Sequence, residues 1–302
     1  MHKRIGPVND FAPVAGLSGF APIIDEFDAF IIDQWGVVHD GNEPYPGVLE
    51  LLSYLARRGK PVIILTNSSK TAEVNRLRLE RRFGVPRSAY TEVVSSAQVM
   101  KDLMEHRLGA PWQELGRFVF LLAEPEDRNL LAGLDFECVE EPSRAELVVM
   151  LSVPEGSRRV DQNRSWIDGL SSRGAPLICP SADTFSVSRS GVDAGMGALA
   201  DAYLRRGGKV VNVGKPEPLV YEECRRLIGV VPPDRVLAVG DQLYSDVEGA
   251  ARQGFRTVLV GSGAGRLYSM IDPAATGWHG RTDLRRQDHD TKPTWVIPSL
   301  RL

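Results

Sequence analysis

The run DAFIID (28–33) ends on a carboxylate, PVIILTN (61–67) ends on Thr66 and Asn67, and RVLAVGD (235–241) ends on Asp241. A further carboxylate, Asp246, follows in GDQLYSD (240–246), and one lysine, Lys215, stands in VGKPEP (213–218). A carboxylate at the end of a buried segment is costly unless something pairs with it. Carboxylates, a lysine and short hydroxyl and amide donors are the parts from which a site for a hard cation and an anionic ligand is built. Each residue alone also has a plain structural reading. Thr, Asn and Asp cap helices and turns, Asp246 before VEGAARQG (247–254) being the clearest case, and Lys215 before Pro216 passes for a surface lysine. Polar strand ends that recur three times are harder to explain that way, because ligands bind at the C-terminal edge of open α/β sheets.

The frame for these side chains is legible too. PGVLELLSYLARRGK (46–60) carries Val48, Leu51, Leu52 and Leu55 on one face, with Pro46 near its start and Gly59 as its stop. TAEVNRLRLERRFG (71–84) ends at Gly84 and Pro86, so both segments are predicted helices. DAFIID and PVIILTN are predicted strands, as are RFVFLLA (117–123), AELVVML (145–151), APLICP (175–180), KVVNVG (209–214), RVLAVGD and FRTVLVG (255–261). Near-continuous Val, Ile and Leu suit strands buried on both faces, and alternation with helices suits a parallel sheet. The expected fold class is therefore α/β, with a doubly wound, Rossmann-like core. The middle of the chain has its own strand–helix alternation, and the site residues lie on both sides of it. It reads as an insertion: core at 1–94 and 187–302, and a smaller α/β unit at 95–186. Beyond 261 the sequence turns irregular, with a polar run at 281–292 and a tail, TWVIPSLRL, apolar enough to dock on the body.

Composition narrows the function classes. A hydrophobic share of 43%, a charged share of 25%, a net charge of −3 and a pI near 6.0 give no electrostatic reason to expect nucleic acid or an anionic membrane. No apolar run approaches the ~20 residues that span a bilayer. The N-terminus starts basic but is soon broken by Pro7, Asn9, Asp10 and Pro13, a poor signal peptide. Cys138, Cys179 and Cys224 are widely spaced and odd in number, with no zinc or disulfide pattern, which favours a cytoplasmic protein with reduced thiols.

In order and type, Asp33, Thr66-Asn67, Lys215 and the Asp241/Asp246 pair resemble the four motifs of the haloacid dehalogenase-like (HAD) phosphotransferase superfamily, over about residues 28–260. The likeness is closest to class IIA, the NagD-like and 4-nitrophenylphosphatase-like sugar phosphatases. The Thr-Asn dipeptide, the VGKPEP form and the long insertion between them carry it. The resemblance implies a Mg²⁺-dependent phosphatase that cleaves a small phosphorylated metabolite through an aspartyl-phosphate at Asp33, the insertion closing over the site as a cap. Asp33, Asp241 and the Trp35 carbonyl would be oxygen ligands for Mg²⁺, and Asp246 would hold a metal-bound water or orient Lys215. Thr66 and Asn67, with Ser68 beside them, would donate to the phosphoryl oxygens, and Lys215 would neutralise developing charge. Where relatives often carry Asn-Pro-Asp, SADTFSVSRSGVDAG (181–195) keeps only Asp183; Asp183 and nearby Arg189 are expected to reach the substrate. Class IIA relatives are often dimers, so a homodimer is an expected assembly.

One departure matters. Hydrolytic members usually carry Asp-x-Asp-Gly, whose second aspartate protonates the leaving oxygen and later activates water; here that position is Trp35. Indole has one N–H, a donor only. Loss of a positioned general acid–base costs roughly 10²–10⁴-fold in rate. Three readings follow. His39 or Asp40, in the same loop, take over the proton transfers; or the enzyme is slow or acts on activated esters; or the protein binds a phosphorylated ligand without turnover. A dinucleotide loop at GSGAGR (261–266) fails, because the third glycine of Gly-x-Gly-x-x-Gly falls on Arg266 and no acidic ribose partner follows.

Overall fold

A computed structural model describes residues 15–107, 109–153, 160–188, 191–263 and 291–302. Arg189, residues 264–266 and residues 281–290 lie outside the described residues. The chain begins a first sheet with β1 (Ala15–Gly16), β2 (Ala29–Asp33), β3 (Val62–Thr66) and β4 (Glu92–Ser95). It then builds a second with β5 (Phe118–Leu122), β6 (Glu137–Cys138), β7 (Leu147–Met150) and β8 (Pro176–Cys179). A hairpin, β9 (Phe185–Ser188) and β10 (Gly191–Ala194), precedes β11 (Lys209–Asn212). The chain returns to the first sheet for β12 (Val236–Gly240), β13 (Arg256–Val260) and β14 (Trp295–Ile297). The helices in chain order are α1 (Val48–Arg57), α2 (Ala72–Phe83), α3 (Ser96–His106), α4 (Arg164–Ser172), α5 (Met196–Arg205), α6 (Pro218–Ile228) and α7 (Gly249–Arg252).

The first sheet has the order β1-β14-β13-β12-β2-β3-β4 and the second β11-β8-β7-β5-β6. Every pair in both is parallel, and among the described strands only the β9–β10 hairpin is antiparallel. Buried strands explain the unbroken apolar runs. On β2, Phe30 and Ile32 pack with Leu51, Leu52 and Leu55 of α1, while Ala29 and Ile31 point the other way, onto Val220, Tyr221 and Cys224 of α6. Each fully buried leucine of α1 contributes about 2 kcal/mol. α2 starts where the Thr71 side chain accepts from Val74 N–H at 3.3 Å and stops at Gly84, whose φ of +65° suits a residue without Cβ.

The expected return to the core near residue 186 is too early. β11 pairs with β8 in the second sheet, and parallel neighbours need a crossover, which α5 supplies. The chain therefore stays in the second lobe through Asn212. β4 was not legible as a strand, being short and led by Glu92. The C-terminal tail does more than dock: β14 pairs with β13 and β1 through its backbone.

Candidate active site

β2 lies between β12 and β3, and from its end the chain runs to one side and later returns on the other. That switch point opens a crevice at the C-terminal edge. Asp33 is the last residue of β2, Thr66 of β3, and Asp241 directly follows β12. Carboxylate oxygens of Asp33, Asp241 and Asp246 all lie within 4.8 Å of one another, and all three residues are buried. Asp246 is no N-cap. It sits inside the helical stretch Leu243–Glu248 that runs on into α7, and its Oδ2 accepts from the backbone N–H groups of Asp241 (3.2 Å) and Gln242 (3.0 Å).

Lys215 is buried, its Nζ 2.5 Å from Asp33 Oδ1 and 2.5 Å from Asp246 Oδ1. Burial opposes its charge, but Asp246 and Asp33 more than reverse this and hold its pKa well above the usual lysine value. Burial pushes the Asp33 carboxyl up to about 7; Lys215 pulls the other way and Asp246 adds to the rise. Within this cluster three carboxylates stand against one lysine. An all-oxygen donor set at this spacing fits a hard divalent cation. The backbone has been cleared for it as well. A methyl group on Gly36 (φ +93°) would stand 2.0 Å from Asp241 Oδ2, and one on Gly263 would stand 2.1 Å from the same oxygen. Ser262 Oγ ties the two loops by donating to the Gly36 carbonyl at 2.7 Å.

Several expected roles change. Asn67 lines the cleft, but its amide is already engaged and is not free to donate to a phosphoryl oxygen. Its oxygen accepts from Lys215 N–H (2.8 Å) and Ser96 Oγ (2.9 Å), and its amide donates to Asp183 Oδ2 and the Lys215 carbonyl, both at 3.0 Å. It is a clamp between β3, the Lys215 loop and the second lobe, with both donors spent. Gly214 permits the close approach, since a methyl there would be 2.3 Å from Asn67 Oδ1. Ser68 Oγ accepts from Lys70 N–H at 3.1 Å in a local turn. Thr66 lines the cleft, and among the described residues nothing occupies its hydroxyl. Asp183 also lines the cleft; burial raises its pKa against the pull of Lys215, and among the described residues its buried Oδ1 has no hydrogen-bond partner.

His39 lines the cleft and Asp40 does not, and both side chains are engaged within their own loop. His39 is buried and stacked on Phe83 with centroids 3.8 Å apart. Its Nδ1 accepts from Gly41 N–H at 3.0 Å, and its Nε2 is 3.1 Å from the Gln34 amide. Burial depresses its pKa to about 4. The neutral ring, with both nitrogens engaged, props the loop. Asp40 Oδ1 accepts from Asn42 N–H (2.8 Å) and Glu43 N–H (2.9 Å), closing a turn, and Asp40 is not among the residues lining the cleft. Trp35 is 45% exposed, its indole edge-on to His39 and lying over Gly41.

The cleft, about 640 Å³, is walled by both lobes: Leu151, Ser152 and Val153 come from the second. The lobes are latched by a buried carboxylate that sequence reasoning missed. Asp127 pairs with Lys70 and accepts from Ser69 Oγ (3.1 Å) and Ser152 Oγ (2.9 Å). An ordinary Ser-Ser-Lys run gives no sign of this, because its partners lie more than fifty residues away.

Comparison with known proteins agrees with this geometry. A family model for haloacid dehalogenase-like hydrolases matches residues 30–137, and a second HAD-like hydrolase model matches 212–302. Haloacid dehalogenase-like hydrolase domain-containing protein 2 of Homo sapiens is 30% identical over 238 residues, covering 78% of this chain and 84% of that one. Chronophin of Homo sapiens is 28% identical over 286 residues, covering 92% of each. The crystal structure of a haloacid dehalogenase-like hydrolase from Brucella suis 1330 superposes with a TM-score of 0.79 at 27% identity, covering 94% of this chain and 99% of that one. The chain belongs to the haloacid dehalogenase-like hydrolase family. Its fold is that of the class IIA, NagD-like branch.

Proposed function

We propose that this HAD-type phosphoric monoester hydrolase is Mg²⁺-dependent and works through an aspartyl-phosphate at Asp33. The convergence of Asp33, Asp241, Asp246 and Lys215 from distant segments at one strand edge carries this reading. Matching relatives named as a D-glycerol 3-phosphate phosphatase from Mycobacterium tuberculosis and a 5'-nucleotidase from Bacillus subtilis support the reaction class without fixing a substrate. Asp33, Asp241 and Asp246, with the Trp35 carbonyl, would hold the cation, which neutralises phosphoryl charge. A carboxylate oxygen of Asp33 attacks phosphorus, and the ester oxygen departs with its bonding pair. The Thr66 hydroxyl donates to a phosphoryl oxygen, and Lys215 holds Asp33 in line. Water then hydrolyses the acyl phosphate, restoring Asp33 and releasing phosphate.

With Trp35 in the acid's position, solvent must protonate the leaving oxygen, so aryl, enol and acyl phosphates are favoured over sugar alkoxides. The substrate is a small phosphorylated metabolite. A cytoplasmic setting fits three unpaired thiols, and a homodimer is part of the proposal. Among the described residues no helix is long and apolar enough to cross a membrane. The test is phosphate release from 4-nitrophenyl phosphate and a metabolite panel, with and without Mg²⁺, in wild type and Asp33→Asn. Release that needs Mg²⁺ and disappears in the variant supports the reading. Tight phosphoester binding without release would favour a binding protein, the alternative that Trp35 and the engaged His39 make specific.

A further inference from the structure

Besides the catalytic carboxylates, the cleft is lined by residues of α2. Asn75, Arg78 and Arg82 recur on α2 at spacings of three and four, which places them on one side of the helix, and all three line the cleft. Asn75 is anchored, its amide donating to the Lys70 and Thr71 carbonyls at 3.0 Å each. The arginines of α2 differ in what they meet. Arg76 lies between Glu73 and Glu92 and is neutralised. Among the described residues Arg78 and Arg82 form no ion pair, although Asp33, Asp183, Asp241 and Glu124 line the same cleft. Both guanidinium groups are close enough to the nucleophile loop for their fields to help keep His39 neutral, after burial and against the pull of Asp40. The half-exposed Trp35 lines the same cleft and offers it an apolar surface.

We infer that Arg78 and Arg82 form a subsite for a second anionic group, so that the substrate is a phosphomonoester whose leaving group carries a carboxylate or phosphate at its far end. This rests on the phosphoester reading above and adds the substrate class. Two arginines one helical turn apart present forked donors that match either anion, and they line the same cleft as Asp33 and Lys215. A neutral sugar or alcohol would leave both guanidinium groups solvated and gain nothing from them. Trp35 would cover the linking carbons.

The test uses matched probes that cannot be turned over, read by titration calorimetry with Mg²⁺. Alkylphosphonates of two to six carbons are compared with the ω-carboxyalkylphosphonates and alkylene bisphosphonates of the same length. In wild type, at least one charged series should bind about tenfold more tightly than its alkyl counterpart, the scale of a charge-assisted contact on a partly solvated rim. In Arg78→Ala/Arg82→Ala that ratio should fall to about one, and in Arg78→Glu/Arg82→Glu below one, while alkylphosphonates change less than about threefold. Both positions are exposed on a helix that alanine and glutamate favour, so folding is retained. The two charged series distinguish a carboxylate site from a phosphate site. Equal affinity of charged and alkyl probes in wild type, or a ratio that survives the double substitution, overturns the subsite and leaves the hydrolase reading intact. Failure of every phosphonate to bind would instead remove the phosphoester reading and the subsite with it.

Discussion

Trp35→Asp puts a carboxylate two residues past the nucleophile, where the described structure has no acid or base. The gain should depend on the leaving group. A positioned acid is worth roughly 10²–10⁴-fold, or about 3–5 kcal/mol, when the departing oxygen is a poor leaving group. Against this stands the packing that the indole now provides. Its ring meets His39 at 5.3 Å and 80°, an edge contact worth about 1 kcal/mol, and its 45% exposure limits what burial adds. The net loss of stability should be about 2 kcal/mol, too small to unfold a domain of this size. Nearby Asp33, Asp241 and Asp246 would raise the pKa of the new carboxyl and keep part of it protonated near neutral pH. The assay is kcat/KM for ethyl phosphate and for 4-nitrophenyl phosphate in wild type and variant. Ethyl phosphate should improve about a hundredfold or more and 4-nitrophenyl phosphate less than about tenfold. If wild type already cleaves both esters at similar rates, or the variant improves neither, a proton donor exists elsewhere and the reasoning about Trp35 is wrong.

Other outcomes follow from the same geometry. Lys215→Met leaves Asp33 and Asp246 buried without their cation and should cost about 3–5 kcal/mol in metal-free protein, with part of the loss recovered on adding Mg²⁺ in a thermal melt. Gly36→Ala would force its methyl into the Asp241 carboxylate and strain a positive φ, so calorimetry should show Mg²⁺ affinity falling at least tenfold while the far-UV spectrum stays native. The imidazole of His39 should titrate near pH 4 by NMR, well below the ordinary 6.5. Because its folded pKa is depressed, its contribution of about 3 kcal/mol is complete above pH 6.5 and is lost as pH falls toward 4. The stability difference between wild type and His39→Gln should shrink across that window; a constant difference would show that His39 titrates normally.

Much of this protein could be read along the chain because the physics is local. A strand covered on both faces must be apolar throughout, so β2, β3 and β12 announced themselves, and polar residues recurring at all three ends pointed to a ligand. What local sequence could not show was which side chains already spend their hydrogen bonds on one another. Asn67 has the chemistry of a phosphate donor and is consumed by Lys215, Ser96 and Asp183. His39 has the right ordinary pKa for proton transfer and is stacked, buried and engaged at both nitrogens. The boundary of the second lobe was misplaced for a related reason: β11 resembles any apolar strand, and only pairing with β8 assigns it to a sheet. The three-carboxylate cluster with its lysine was inferable from residue types in order. That Arg78 and Arg82 face the cleft while Arg76 is neutralised, and that Asp127 latches the lobes, was settled by tertiary packing. Charge and hydrogen-bonding capacity belong to the residue, whereas the partner that consumes or frees them is chosen by contacts between segments far apart in the chain.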